Sequence, residues 1–401
     1  MKQKKLMLLG GLRYLIPVIE AAHKSGIYVI TCDYIPDNIA HKYSDEYCNV
    51  SIVDKEAVLA KAKELEIDGI MSFAVDPGVV TAAYVAEKMG LPFAGSYESV
   101  RILQNKDLFR KFLKDNGFNV PVSGGYSSYD DAKADLDRFA FPVIVKPTDS
   151  AGSKGVTRVN SEEQLKAAFE YSLTNSISKR VIIEEFIEKS GCSSDSDCFS
   201  VDGQLKVVTY SAQRFDDEAA NPYTPSAFSW PSTFSKEEER YLNGEIQRLI
   251  TLLDLKTSIY NIETRIGTNG KPYIMEVSPR GGGNRLAEMV RYGTGVDMID
   301  AYVKASVGDF SEDLNTAEFE GHWAEIILHA ENDGIFQSLE ITGEYKEFVV
   351  ETDLWVKSGD CVRAFNGAND AIGTLVLRLP TAEMLEQAMS TISQWCNVIV
   401  R

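Results

Sequence analysis

Two glutamates set on either side of a turn, Glu263 and Glu276 in YNIETRIGTNGKPYIMEVSPRGGGN (260–284), are the first residues of this chain to suggest chemistry. Asn269-Gly270 is the strongest short-range signal for a two-residue hairpin turn, and alternating apolar residues flank it. With Thr268 opposite Lys271, counting outward sets Glu263 against Glu276 and Asn261 against Ser278. Like charges facing each other on one sheet face destabilise it unless something neutralises them. A divalent cation does so, and hard carboxylate oxygens with no His or Cys nearby suit Mg²⁺ or Mn²⁺. For the hairpin alone, a hydrated solvent face is the alternative.

Three further stretches carry polar groups whose setting needs a reason. In FPVIVKP (141–147), Lys146 sits in a run too apolar to hold an ammonium without an anionic partner. DSAGSKGV (149–156) follows at once, where Gly152 and Gly155 among Ser150, Ala151 and Ser153 let backbone amides turn toward a phosphate. This is not the GxxxxGK[ST] spacing, but coupled to Lys146 it points to a triphosphate. VIIEEFI (181–187) reads as a strand that offers backbone N–H and C=O to an adenine edge, with Phe186 and Ile187 as apolar walls; an edge strand with exposed acids is the alternative. Arg280 precedes GGGNR (281–285), where the amides of Gly282 and Gly283 and the side chain of Arg285 are candidates for gripping a carboxylate or a γ-phosphate.

The elements that must position these groups change character along the chain. Up to about residue 100, strands and helices alternate: strands at 5–9, 28–32, 68–73 and 91–93, helices at 14–24, 55–65 and 79–89. The pattern predicts a parallel sheet covered on both faces. Gly10-Gly11 lacks the GxGxxG spacing, so no dinucleotide site is expected. Loops at the carboxyl ends of such strands line ligand crevices, which makes Gly11, Arg13, Asp33 and Asp76 candidates for touching an acceptor substrate. A basic helix from Asn105 stops at Gly117. Mixed α+β patterns run to about 311, 312–321 reads as a connector, and the remainder alternates like antiparallel strands with a helix at 382–393.

Composition excludes several functions. The 41 basic and 59 acidic residues give a net charge of −18 with no basic run, so no nucleic-acid partner is expected. No stretch reaches the roughly 20 apolar residues of a membrane span. The N-terminal apolar run is too short for a leader and reads as a strand. The six cysteines match no zinc spacing, and reduced thiols in a cytoplasmic protein are expected.

The order of lysine on an early helix, VIVKP, glycine loop, IIEEFI and paired acids with EVSPRGGGN resembles the ATP-grasp superfamily, over essentially the whole chain. The likeness is to its carboxylate–amine ligases, the carbamoyl-phosphate synthase and phosphoribosylglycinamide synthetase type. It implies an α/β and α+β fold: a Rossmann-like domain (1–104), a two-subdomain ATP-grasp domain (105–311, with a small lid at about 120–190) and a small antiparallel C-terminal domain (312–401). It implies that Lys106 and Lys146 contact ATP, Lys146 on the α-phosphate side, and that Ser150 to Gly155 covers the phosphates. Glu184, Glu185 and Ile187 then match the adenine-binding segment, and Asp195 or Asp197 the ribose-binding acid. Glu263 and Glu276 match the Mg²⁺-binding acids. Ser278 stands where the family has a metal-ligating Asn, with Asn261 across from it to supply the missing oxygen. Arg280 matches the arginine on the transferred phosphate or substrate carboxylate.

The implied reaction is attack of a small-molecule carboxylate on ATP to give an acylphosphate, captured by an amine. A bicarbonate-using carboxylase and a non-catalytic ATP-binding protein are the alternatives. A homodimer is the family's common assembly.

Overall fold

The apolar run at Lys5–Leu9 (β1) is buried on both faces and lies at the centre of a parallel sheet with Tyr28–Cys32 (β2), Glu46–Cys48 (β3) and Gly69–Ser72 (β4), in the order β3-β2-β1-β4. The computed structural model describes residues 2–150, 154–311, 314 and 318–401. Helices Ile16–Lys24 (α1), Lys55–Leu65 (α2) and Asp76–Met89 (α3) cover the sheet and share its core. Strand β3 was not expected, and Leu91–Phe93 is not a strand. Gly90 turns the chain at φ +68° after α3, and Pro92 lacks the N–H that a ladder needs.

Helices Tyr97–Gln104 (α4) and Lys106–Asp115 (α5) lead to a second sheet, Ser123–Tyr126 (β5), Val143–Pro147 (β6), Thr157–Val159 (β7) and Val181–Glu185 (β8), in the order β5-β8-β6-β7. It falls where the small lid is expected. A third sheet joins Ser194–Val201 (β9), Gln204–Val208 (β10), Ser258–Ile266 (β13) and Pro272–Ser278 (β14), in the order β10-β9-β13-β14.

Ala212–Phe215 (β11) and Pro225–Trp230 (β12) fall between those strands in sequence. They nevertheless complete a C-terminal sheet with His322–Leu328 (β15), Val349–Leu354 (β17) and Gly373–Leu379 (β19), in the order β11-β12-β15-β19-β17. A break at residue 311 therefore does not separate the sheets. Gly334–Ile341 (β16), Cys361–Val362 (β18) and Cys396–Val400 (β20) form the last one. Among the described residues, no helix is long and apolar enough to cross a membrane.

The β13–β14 hairpin reaches its expected register by an unexpected route. Ile266 pairs with Pro272, and Gly267 donates to the Lys271 carbonyl at 2.9 Å. The loop is therefore Thr268-Asn269-Gly270, three residues long, with Gly270 at φ +72°. That displaces the ladder by one residue. A bulge between Glu263 and Thr264, opposite Met275, takes the displacement back, so Glu263 pairs with Glu276 and Asn261 with Ser278. Two departures from the simple count cancel. A Cβ on Gly270 would meet nothing within 4 Å, so Gly270→Ala costs only the left-handed backbone. Urea denaturation is expected to show a loss of about 1 kcal/mol.

Candidate active site

Three neighbouring strands place six polar side chains as two rows across one face of the third sheet. Asp195, Glu263 and Glu276 stand side by side, and Asp197, Asn261 and Ser278 form the next row. The alternation SDSD in β9 is what puts both aspartates on that face.

The two glutamates of the first row face cations: Glu276 lies 3.7 Å from Lys106 Nζ, and Glu263 3.5 Å from Arg265. Asp195 and Asp197 lie deeper. Burial first, and then the neighbouring Glu263 and Asp197 charges, push Asp195 up to about 8. Burial raises Asp197 to about 7. Asn261 donates its amide to Asp195 (2.7 Å) and to Asp197 (3.2 Å). Gly282 N–H donates to both Asp197 oxygens, at 2.8 and 3.1 Å. Asp195 is therefore part of the carboxylate row, and the Asn261 amide serves the two aspartates.

Ser278 is buried between two partners. Its hydroxyl donates to Asp76 at 2.9 Å and accepts from Gln104 at 2.8 Å. Asp76, at the start of α3, also receives a two-pronged bond from Arg280, at 2.9 and 2.7 Å. Burial would raise the Asp76 carboxyl, but the Arg280 guanidinium outweighs it and holds Asp76 below its ordinary range. Ser278 thus has Asp76 and Gln104 as partners, and Asp76 positions Arg280. Arg285 is likewise turned away, bonded to Glu351, Glu288 and Thr374. It fastens the glycine loop to the C-terminal sheet.

On the opposite side, Lys146 of β6 meets Glu184 of β8 at 2.8 Å, and Arg110 of α5 meets the other Glu184 oxygen at 2.9 Å. Burial alone would raise Glu184, yet the two cations hold it down at about 2. Burial lowers Lys146, helped by Arg110 and Lys106 nearby. Glu184 thus neutralises and orients Lys146 from a buried position. Arg110 also donates to the carbonyl of Met275, the residue left unpaired by the bulge, at 2.8 Å. Arg110 escaped the reading of the sequence, although it lies one helical turn beyond Lys106 on the same face of α5.

Lys106 caps the arrangement, donating to the Ser150 carbonyl at 3.0 Å while facing Glu276. Gly155 turns at φ +74° against Pro147. Gly152 and Ser153 lie outside the described residues. In the expected adenine segment, Glu185 N–H is bonded to Val122, the Ile187 carbonyl accepts from Arg265, and the Phe186 ring lies 4.2 Å from Arg158. Gly283 runs along Tyr14, whose hydroxyl donates to Asn284 at 3.1 Å.

Among the described residues no three His, Cys, Asp or Glu side chains converge as a ready cage for a metal ion. Paired glutamates beside Lys106 nonetheless fit Mg²⁺ well, because that ion commonly takes one or two carboxylates and completes its shell with substrate phosphates and water. A cavity of about 700 Å³ between Phe93, Asp202, Lys256 and Phe310 contains none of these residues.

An ATP-grasp domain model matches residues 139–288. The C-terminal section of the carbamoyl phosphate synthase large chain of Aquifex aeolicus is 22% identical over 342 residues, covering 83% of this chain and 62% of that protein. D-alanine–D-alanine ligase A of Bacillus cereus is 26% identical over 257 residues, 60% of this chain and 79% of the ligase. The chain covers 21% of the full-length carbamoyl phosphate synthase large chain of a Thermoanaerobacter species. The crystal structure of an L-amino acid ligase from Bacillus licheniformis superposes over 100% of both chains with a TM-score of 0.80 at 19% identity. At that identity the likeness speaks for the fold.

Proposed function

Because the chain carries an ATP-grasp domain within an ATP-grasp fold, we propose that it is an ATP-dependent carboxylate–amine ligase acting on small molecules. The observation that carries this reading is Lys106, which touches both the start of the glycine loop at Ser150 and the paired glutamates at Glu276. One ammonium thereby joins the surface suited to phosphates and the surface suited to their counter-ion.

In this reading a substrate carboxylate oxygen attacks the γ-phosphorus and the bond to ADP breaks. The acylphosphate is then attacked at carbon by an amine, which loses a proton as phosphate departs. Lys146 and Lys106 hold the phosphate chain, each fixed by a partner that limits its motion. Arg280, braced by Asp76, offers its remaining N–H edge to the charge that builds on the transferred phosphoryl group. The Gly282 amide is turned inward to Asp197, which sets the backbone of the loop that follows. Bound Mg²⁺ or Mn²⁺, held by Glu263 and Glu276, would supply charge neutralisation at the β- and γ-phosphates. No side-chain nucleophile is required.

The test is ADP release with purified protein, ATP and Mg²⁺, against pairs of L-amino acids, simple amines and bicarbonate. Release that depends on an amine and a carboxylate together, with one amide formed per ADP, is expected. Release driven by bicarbonate, or none with any acceptor, would overturn the reading.

A further inference from the structure

The side chain of Arg13 makes no hydrogen bond and no ion pair among the described residues. Its guanidinium carbon lies 5.4 Å from the centre of the Trp355 ring. Trp355 is itself fixed: its indole N–H donates to Asp353 at 2.8 Å, and its backbone N–H to Ile372 at 2.8 Å. Tyr14 meets the same ring edge-on, 5.9 Å away at 83°, while its hydroxyl holds Asn284 of the glycine loop. An arginine stacked on an aromatic face keeps the N–H fork at its rim free for an oxyanion.

The place is equally informative. Arg13 follows Gly10-Gly11 at the carboxyl end of β1, where parallel sheets receive ligands. Through Tyr14 it adjoins Gly283 and Asn284, the part of the loop beyond Arg280. Glu351, Asp353 and Trp355 alternate along β17 and just past its end, and Glu351 is taken up by Arg285 and Tyr292. Three segments far apart in sequence therefore converge on an unpaired cation with an apolar wall.

We propose that Arg13, held by Trp355, binds a carboxylate remote from the reacting carboxyl, so that the amine substrate is a free α-amino acid with an apolar side chain against Trp355. This rests on the ligase reading. A single guanidinium matches one carboxylate in charge and in its two-pronged geometry. A phosphate dianion would be left with excess charge beside Asp353 and Glu351.

The experiment measures ADP release with each productive amino-acid pair, replacing the amine partner in turn by its α-amide and by phosphoethanolamine. Wild type is expected to prefer the free amino acid, and Arg13→Gln to raise KM for it about 10- to 100-fold, with KM for ATP unchanged and the preference over the amide lost. Arg13→Lys should fall between, and Trp355→Ala should raise the same KM. An ATP-dependent rise in melting temperature in each variant shows that it is folded. Wild type that releases no ADP with any acceptor overturns the ligase reading and this one with it. Release with amides as good as acids, or an Arg13→Gln enzyme with unaltered KM, overturns the Arg13 assignment alone. A preference for phosphoethanolamine that depends on Arg13 overturns the carboxylate in favour of a phosphate.

Discussion

Glu184→Ala lowers the unfolding free energy by about 3–5 kcal/mol in urea or thermal denaturation, the usual cost of removing one member of a buried ion pair. The acid is 2% exposed and stands between Lys146 and Arg110. Its loss leaves two cations with no counter-charge in an apolar setting. Glu184→Gln keeps the shape and removes the charge, so it should recover only a small part. A pH dependence follows from the same contacts. The folded carboxyl sits at about 2 against an ordinary value of 4.5. A depressed acid contributes stability that is complete above its unfolded value and fades as pH falls through its folded one. Wild type should therefore lose stability between about pH 4.5 and pH 2, and Glu184→Gln should lose less across that window. An equal loss in both proteins would show that Glu184 is not ionised in the fold.

Glu276→Gln should cut amine-dependent ADP formation about 10²–10³-fold, comparable with removing one electrostatic group from a phosphoryl or acyl transfer site. The change keeps the register of β14 and the side-chain volume, so the melting temperature should stay close to wild type. The residual rate should require more Mg²⁺ for half-saturation, because one of the two glutamates that face each other is gone. Glu263→Gln should act in the same direction. A Glu276→Gln protein with wild-type turnover and an unchanged Mg²⁺ titration would remove the paired glutamates from the proposed site.

Much of this site can be read from local patterns. The strand at Lys5–Leu9 and the helix at Lys55–Leu65 lie where apolar periodicity puts them, and SDSD, VIVKP and the NG turn announce their faces. The register of the hairpin that carries Glu263 and Glu276 emerges correctly only because a longer turn and a bulge offset each other, and neither is visible in alternation alone. What local pattern does not carry is partner choice. Ser278 with Asp76 joins residues 202 positions apart, and Arg110 with Met275 joins residues 165 apart. A motif assigns Ser278, Arg285 and Glu184 to ligands, whereas tertiary packing supplies each with a protein partner first. The strand expected at Leu91–Phe93 fails for a local reason that Pro92 already signalled.

The bulge at Met275 also has a mechanical side. Its carbonyl, left out of the ladder, anchors Arg110, and Arg110 grips Glu184 of the lid sheet. The second sheet is thereby tied through a buried arginine to the hairpin that bears Glu263 and Glu276, so that a shift of one is felt at the other. Lys146, which shares Glu184 with Arg110, is held at the same place. The bulge thus couples the position of Lys146 to that of the two glutamates.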